Sequence, residues 1–159
     1  MFRKSAEKYA QNIALFSDND QIIRYSDILN FSDRLKKNIE VRSLVFCLCE
    51  NTIGSLIGYF SFMSNGTVPL MLDASIDQVM LNSLIKIYEP NYLWINNSLL
   101  NSYANFEVKY TEFNYSLVLL SDNKVALNEQ LALLLTTSGS TGSPKLVRLS
   151  YENIQPILI

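Results

Sequence analysis

The sequence contains no histidine. That absence excludes nucleophilic catalysis by a Ser-His or Cys-His pair and removes the commonest ligand of catalytic zinc. Cysteine is nearly absent too, with only Cys47 and Cys49, both inside the apolar run L-V-F-C-L-C. A strand puts them on one face. A metal or redox pair is one reading. The other, which free cysteine usually follows, is a pair of small buried hydrophobes. An i, i+2 disulfide is disfavoured by geometry. Charge of one sign is also missing: the net charge is −2 and no basic run occurs. Nucleic-acid binding by phosphate neutralisation therefore has little support here. No stretch approaches the roughly 20 apolar residues of a membrane span, and the polar start, M-F-R-K-S-A-E-K-Y, has no apolar signal segment. A reducing cytoplasm is the expected setting.

What remains is globular material. The 159 residues are 48% hydrophobic and 18% charged, which suits a single domain with a real core. No internal repeat, low-complexity tract or linker divides it. A short helix is expected over residues 2–10, with Ala6 and Tyr9 on one face. Ile13 to Phe16 and Gln21 to Arg24 flank S-D-N-D and read as a hairpin. Ser26 is a candidate N-cap, with Asp27 in the first turn and Ile28, Phe31, Leu35 and Ile39 at helical spacing.

Leu44 to Leu48 reads as a strand covered on both faces. Asn51 or Thr52 can cap the next helix, which carries Ile53, Leu56, Ile57, Phe60 and Met63 and closes at Gly66. Gly54 and Gly58 weaken that helix by up to about 1 kcal/mol each relative to alanine, so close approach to a strand is expected there. Thr67 to Leu72 is a strand, and Pro69 points to an edge or irregular position. Ser75 to Gln78 has the capping-box pattern, ahead of a helix bearing Met80, Leu81, Leu84, Ile85 and Tyr88 and stopping near Pro90. Tyr92 to Ile95 is a strand with Trp94 in the core. Residues 96–116 read mostly as surface connection, with a weak strand at Phe106 to Tyr110. Leu117 to Leu120 and Leu131 to Leu135 are strands. The alternation predicts an α/β fold with a mainly parallel sheet flanked by helices.

Glycine is scarce, yet two of the chain's five glycines fall in one loop, Thr136 to Lys145, read T-T-S-G-S-T-G-S-P-K. An apolar run precedes it and another, Leu146 to Leu149, follows. Glycine lets main-chain N–H groups come close to a ligand. The hydroxyls of Ser138, Ser140, Thr141 and Ser143 add donors, and Lys145 adds a mobile positive charge. Each donor to an anionic oxygen contributes about 1.5–3 kcal/mol, so the loop suits a phosphate. It is not a Walker loop, which needs Gly-Lys-Ser/Thr adjacent and a helix directly after. The plain alternative is a Ser/Gly-rich surface turn.

The string resembles the phosphate-loop signature of the adenylate-forming superfamily: acyl-CoA synthetases, adenylation domains of non-ribosomal peptide synthetases, and luciferases. The flanks agree. Asn128-Glu129-Gln130-Leu131-Ala132 is similar to the lead-in, and Leu149-Ser150-Tyr151-Glu152-Asn153 to Leu-Ser-His-x-Asn. Ile23-Arg24-Tyr25-Ser26-Asp27-Ile28 resembles the early Thr-Tyr-x-Glu-Leu motif, and residues Asn65 to Asp73 resemble Ala-Gly-x-x-x-Val-Pro-Leu-Asp. The resemblance covers nearly all 159 residues. Leu146 stands where many members have glycine, and Tyr151 where many have histidine.

The resemblance implies activation of a carboxylic acid with ATP and Mg2+, giving an acyl-adenylate and pyrophosphate. Transfer to coenzyme A or a phosphopantetheine carrier protein then follows. It implies that Thr137, Ser138, Gly139, Ser140, Thr141, Gly142 and Lys145 hold the β- and γ-phosphates. Other family parts are not found in these residues: no aromatic-Gly-x-Thr-Glu, no Thr-Gly-Asp, no small domain with its catalytic lysine. Residues 1–159 are therefore expected to be a truncated N-terminal portion of an AMP-binding domain, inactive alone. A second expectation is a phosphate- or nucleotide-binding module without chemistry. A third is self-association through the apolar stretch Ile154 to Ile159.

Overall fold

The computed structural model describes residues 2–17, 20–123, 126–137 and 145–154. The helices are α1 (Phe2–Lys8), α2 (Tyr25–Leu35), α3 (Ile53–Ser64), α4 (Gln78–Tyr88) and α5 (Tyr151–Ile154). The strands are β1 (Ile13–Phe16), β2 (Ile22–Arg24), β3 (Leu44–Cys49), β4 (Val68–Asp73), β5 (Tyr92–Asn96), β6 (Glu107–Glu112), β7 (Tyr115–Leu119), β8 (Leu131–Thr137) and β9 (Lys145–Ser150). β1 and β2 form the expected antiparallel pair.

The other seven strands form one sheet in the order β6-β7-β5-β3-β4-β8-β9. β3 runs parallel to β4 and β5, and β4 runs parallel to β8. β7 is antiparallel to β5 and β6, and β9 is antiparallel to β8. The sheet is therefore mixed, parallel across its four central strands and antiparallel at both sides. The reason lies in the connections. α3 and α4 provide the crossovers that parallel neighbours need, whereas β6–β7 is a tight hairpin.

Alternation along β3 feeds two cores. Val45 and Cys47 join Phe31 and Leu35 of α2 and Ile57 and Phe62 of α3 on one face. Leu44, Phe46 and Leu48 join Leu81 and Leu84 of α4 on the other. Trp94 of β5 is fully buried, with Phe31 and Phe62 edge-on to its ring at 6.0 and 5.8 Å. A Cβ at Gly58 would lie 2.2 Å from Trp94 Nε1, and one at Gly54 2.4 Å from the Phe113 carbonyl oxygen. The Gly54 carbonyl accepts the indole N–H at 3.0 Å. This close approach is what the two helix-weakening glycines permit. Thr52 caps α3 by accepting from Ser55 N, and Gly66 follows the C-cap at φ +71°.

Several sequence expectations shift. Tyr9 lies beyond the end of α1 and is 46% exposed, so of that pair Ala6 alone faces inward. α2 starts at Tyr25, one residue before Ser26; Asp27 accepts from Arg24 N at 2.8 Å instead. Asp77, not Ser75, caps α4, accepting from Val79 N and Met80 N; Ser75 donates its N–H and hydroxyl to Asp73. Pro69 is not at an edge, since β4 lies between β3 and β8. Val68 N donates to Ser43 O on the β3 side, so alternation points the missing Pro69 donor toward β8. The described ladder there begins only at Leu70–Leu134.

Residues 96–116 depart furthest from a surface connection. They hold a 3-10 helix (Asn97–Tyr103), all of β6 and the start of β7, where Tyr115 and Ser116 are fully buried. The hairpin turns at Phe113 and Asn114, both at positive φ (51° and 60°). Phenylalanine rarely takes that conformation, so the usual Asn-Gly turn signal is missing.

Candidate functional site at the carboxyl end of the sheet

Strands β3, β4 and β8 end side by side at one end of the sheet. Cys49 pairs with Asp73, and the β4–β8 register runs through Leu70–Leu134 and Met71–Leu135. Asp73 lies two residues past Met71, and Thr137 two past Leu135, so the two strands finish level. Ligands of open α/β sheets gather outside the carboxyl ends of the strands.

β8 forms because five consecutive apolar residues, Leu131 to Leu135, suit a strand buried on both faces. Ala132, Leu133 and Leu134 are buried. The apolar content stops at Thr136, where the strand leaves the core. β9 returns antiparallel, with Thr137 opposite Lys145 and Thr136 opposite Leu146. The two ends of the hydroxyl- and glycine-rich string are therefore neighbours across one strand pair. Ser138, Gly139, Ser140, Thr141 and Gly142 lie outside the described residues, as do Ser143 and Pro144. Of the seven candidate site residues, the structure brings together Thr137 and Lys145.

The flanking motif Leu149-Ser150-Tyr151-Glu152-Asn153 has a local structural cause. Ser150 donates its backbone N–H and its hydroxyl to Asn153 Oδ1, both at 2.9 Å, and Asn153 N donates to Ser150 Oγ at 3.2 Å. This reciprocal box ends β9 and starts α5. In the lead-in, Asn128 accepts from Gln130 N through its side chain at 2.9 Å and from Leu131 N through its carbonyl at 2.9 Å.

The described rim of the site is acidic. Hydrogen bonds from the Ser75 hydroxyl and backbone N–H hold the exposed Asp73 carboxyl below its ordinary range. Glu50, just past β3, accepts from Asn96 at 2.9 Å and from the Tyr115 hydroxyl at 3.4 Å. Burial pushes the Cys49 thiol up, and burial together with Cys49 pushes Cys47 well up. Both thiols stay protonated at neutral pH, which agrees with small buried hydrophobes and not with a thiolate pair. Among the described residues no three His, Cys, Asp or Glu side chains group to hold a metal ion. Within the string itself the only cationic side chain is Lys145.

Sequence reasoning missed Arg42, whose guanidinium reaches the base of the β8–β9 hairpin at Asn128, Leu131 and Tyr151. Contacts spanning roughly ninety residues or more leave no local signal.

No family model matches the sequence. A plipastatin synthase chain of Bacillus subtilis (strain 168) is 24% identical over 96% of this chain, which spans 6% of that protein. A linear gramicidin synthase chain of Brevibacillus parabrevis is 23% identical over 99% of this chain, which spans 3% of that protein. Among solved structures, the O-succinylbenzoate coenzyme A synthetase MenE from Bacillus subtilis, in complex with ATP and magnesium ion, superposes with a TM-score of 0.69 at 15% identity. The match covers 95% of this chain and 43% of that one. The NpsA N-terminal subdomain of Klebsiella oxytoca, in complex with 3-hydroxyanthranilyl-AMSN, has a TM-score of 0.64 at 19% identity. It covers 94% of this chain and 39% of that one. The chain thus shares the fold of adenylate-forming enzymes and aligns along its length with synthetases of that superfamily. It spans less than half of each solved chain and a small part of each curated relative.

Proposed function

We propose that residues 1–159 are the opening portion of an ATP-dependent carboxylate-activating domain of the adenylate-forming type. In this reading Thr137, Ser138, Gly139, Ser140, Thr141, Gly142 and Lys145 hold the β- and γ-phosphates of ATP. The observation that carries it is the setting of the string. Its ends pair as Thr137–Lys145 on a hairpin at the carboxyl end of β8, beside the parallel strand β4, in a fold shared with a synthetase solved with ATP and magnesium ion.

The chemistry follows from the donors. The substrate carboxylate attacks the α-phosphorus, the α–β phosphoanhydride bond breaks, and pyrophosphate leaves with its electron pair. Backbone N–H groups and hydroxyls stabilise charge where it forms on the leaving group. Lys145 offsets part of that charge. When bound with the nucleotide, Mg2+ would supply further neutralisation of the phosphates. The thiol of coenzyme A or of a phosphopantetheine carrier then attacks the acyl carbon, the acyl–phosphate C–O bond breaks, and AMP leaves. A cytoplasmic setting belongs to the same proposal. Among the described residues no helix is long and apolar enough to cross a membrane.

Alone, these residues hold the pyrophosphate side of the site and are expected to bind without catalysing. Contacts from the loop correspond to roughly −4 kcal/mol, a millimolar dissociation constant. Calorimetric titration with magnesium pyrophosphate and with magnesium ATP tests the reading. A saturable millimolar isotherm in at least one titration is expected, with no acid-dependent pyrophosphate exchange. Absence of heat at millimolar ligand in both titrations contradicts the binding role. Acid-dependent exchange contradicts the inactivity. Self-association through residues 154–159 is proposed separately, and a monomer by light scattering at high concentration contradicts it.

A further inference from the structure

The base of the β8–β9 hairpin, where Ala132 and Leu133 pack with Met63, also takes hydrogen bonds from one side chain of a distant turn. Arg42 lies between a 3-10 helix (Lys36–Asn38) and β3, at φ +63°. Few non-glycine residues occupy that region, and its cost persists only where the surroundings require it. Here the surroundings show why. Arg42 N donates to the carbonyl of Gly66 at 3.2 Å, just ahead of β4. Its guanidinium donates to the Leu131 carbonyl at 2.9 Å, the Asn128 carbonyl at 2.5 Å and the Tyr151 hydroxyl at 3.4 Å. One residue thus joins the foot of β4, the lead-in and first residue of β8, and the helix that follows β9.

We propose that Arg42 is a positioning residue for the phosphate loop: it fixes the tilt of the β8–β9 hairpin against the parallel strands and so sets where the Thr137–Lys145 end lies. This rests on the phosphate-binding reading above. The mechanics are those of a lever. β8 is seven residues long, about 23 Å at strand rise, and its described ladder to β4 is at Leu134 and Leu135, near the middle. Arg42 holds one end and the loop leaves from the other. A rotation about the ladder, once the base is free, displaces the loop end in the opposite sense. Arginine suits the task because its planar fork can serve several carbonyls at once, which a lysine ammonium on a flexible stem does less well. Tyr151 belongs to the same clamp. Its hydroxyl accepts from the guanidinium.

Two substitutions separate the clamp from the backbone strain. Arg42→Gly removes the guanidinium and makes φ +63° easy. Arg42→Lys keeps the charge and loses the fork. Amide hydrogen exchange of the 159-residue chain is followed in peptides spanning 131–137 and 145–150, with 44–49 as the internal control. Magnesium pyrophosphate is titrated into the same samples. For Arg42→Gly we expect exchange about tenfold faster in the two hairpin peptides, on the scale of lost charge-assisted hydrogen bonds. The control peptide should stay within about twofold of wild type, and pyrophosphate affinity should fall by roughly fivefold or more. Arg42→Lys should fall between the two. Unchanged hairpin exchange overturns the clamp, and equal acceleration in 44–49 reduces it to general stability. A loosened hairpin with unchanged pyrophosphate affinity overturns the positioning role. Failure of the wild-type chain to take up pyrophosphate overturns the phosphate reading and this role with it. That failure is visible before any variant is made.

Discussion

The centre of the sheet and its β8–β9 side are held together in different ways. At the centre, β3 pairs along its whole length with β4 and is buried on both faces. Two glycines of α3 bring the helix backbone against Trp94 and Tyr115, with no space for a methyl group. The β8–β9 side has a short described ladder to β4, an antiparallel partner at the sheet edge, and three long-range hydrogen bonds from one arginine. Packing makes the centre rigid and intolerant of change. A smaller cluster, Met63 with Ala132 and Leu133, and the hydrogen bonds of Arg42 together hold the side that carries the candidate site.

The largest effect is expected at the centre. Gly58→Ala gains about 1 kcal/mol of helix propensity but requires Trp94, fully buried, to move. A net loss of about 3 kcal/mol is expected by urea unfolding. A neutral result would mean the α3–β5 contact is looser than described. On the other side, Lys145→Ala should leave the unfolding free energy within about 0.5 kcal/mol. It should weaken magnesium pyrophosphate binding by about tenfold, the scale of one lost charge-assisted contact. Equal affinity would remove Lys145 from the site.

Asp77→Ala tests a device belonging to neither region. Loss of the two backbone N–H groups it accepts should cost about 1 kcal/mol, whereas Ser75→Ala should cost less. The reverse order would restore the Ser75 cap. The smallest expected effect is electrostatic. Burial alone would raise the Glu112 carboxyl, but hydrogen bonds from Arg34 at 2.6 and 3.1 Å and from the Tyr110 hydroxyl outweigh it and hold the group below its ordinary value. A depressed carboxyl contributes stability that is present above its unfolded value of about 4.3. That contribution is lost as pH falls through the lower folded value. Both side chains are partly exposed, so solvent screening limits it to about 1 kcal/mol or less. Glu112→Gln should flatten the stability curve below about pH 4.5 and leave its shape unchanged near pH 7.

The parts of this molecule legible in the sequence are those whose causes are local. The apolar runs of β3, β5 and β8 and the helical spacing of Ile28, Phe31 and Leu35 announced their elements. So did the Thr52 cap and the Gly66 stop. The tight glycines of α3 were legible as a need for close approach, though not which ring they meet. The β6–β7 hairpin was hidden because its turn uses Phe113 and Asn114 at positive φ, and because Tyr115 and Ser116 are buried polar residues in an Asn/Ser/Tyr-rich stretch. Pro69 misled because its missing donor matters only where a ladder is present. At the site, the string from Thr136 to Lys145 reads in the sequence as a phosphate cradle, and the structure describes Thr136, Thr137 and Lys145 of it. Its anchoring was not legible, since Arg42 meets Leu131 only once the chain has folded.

Above all, the string between Thr137 and Lys145 is held to take the pyrophosphate part of a nucleotide. Amide NMR spectra of the isotope-labelled chain, titrated with magnesium pyrophosphate, test this without an intermediate step. We expect saturable shifts at millimolar ligand concentration in the resonances of residues 137–145, with β6 and β7 unaffected and the response reduced in Lys145→Ala. No saturable shift in residues 137–145, or shifts concentrated elsewhere in the sheet, would rule the assignment out.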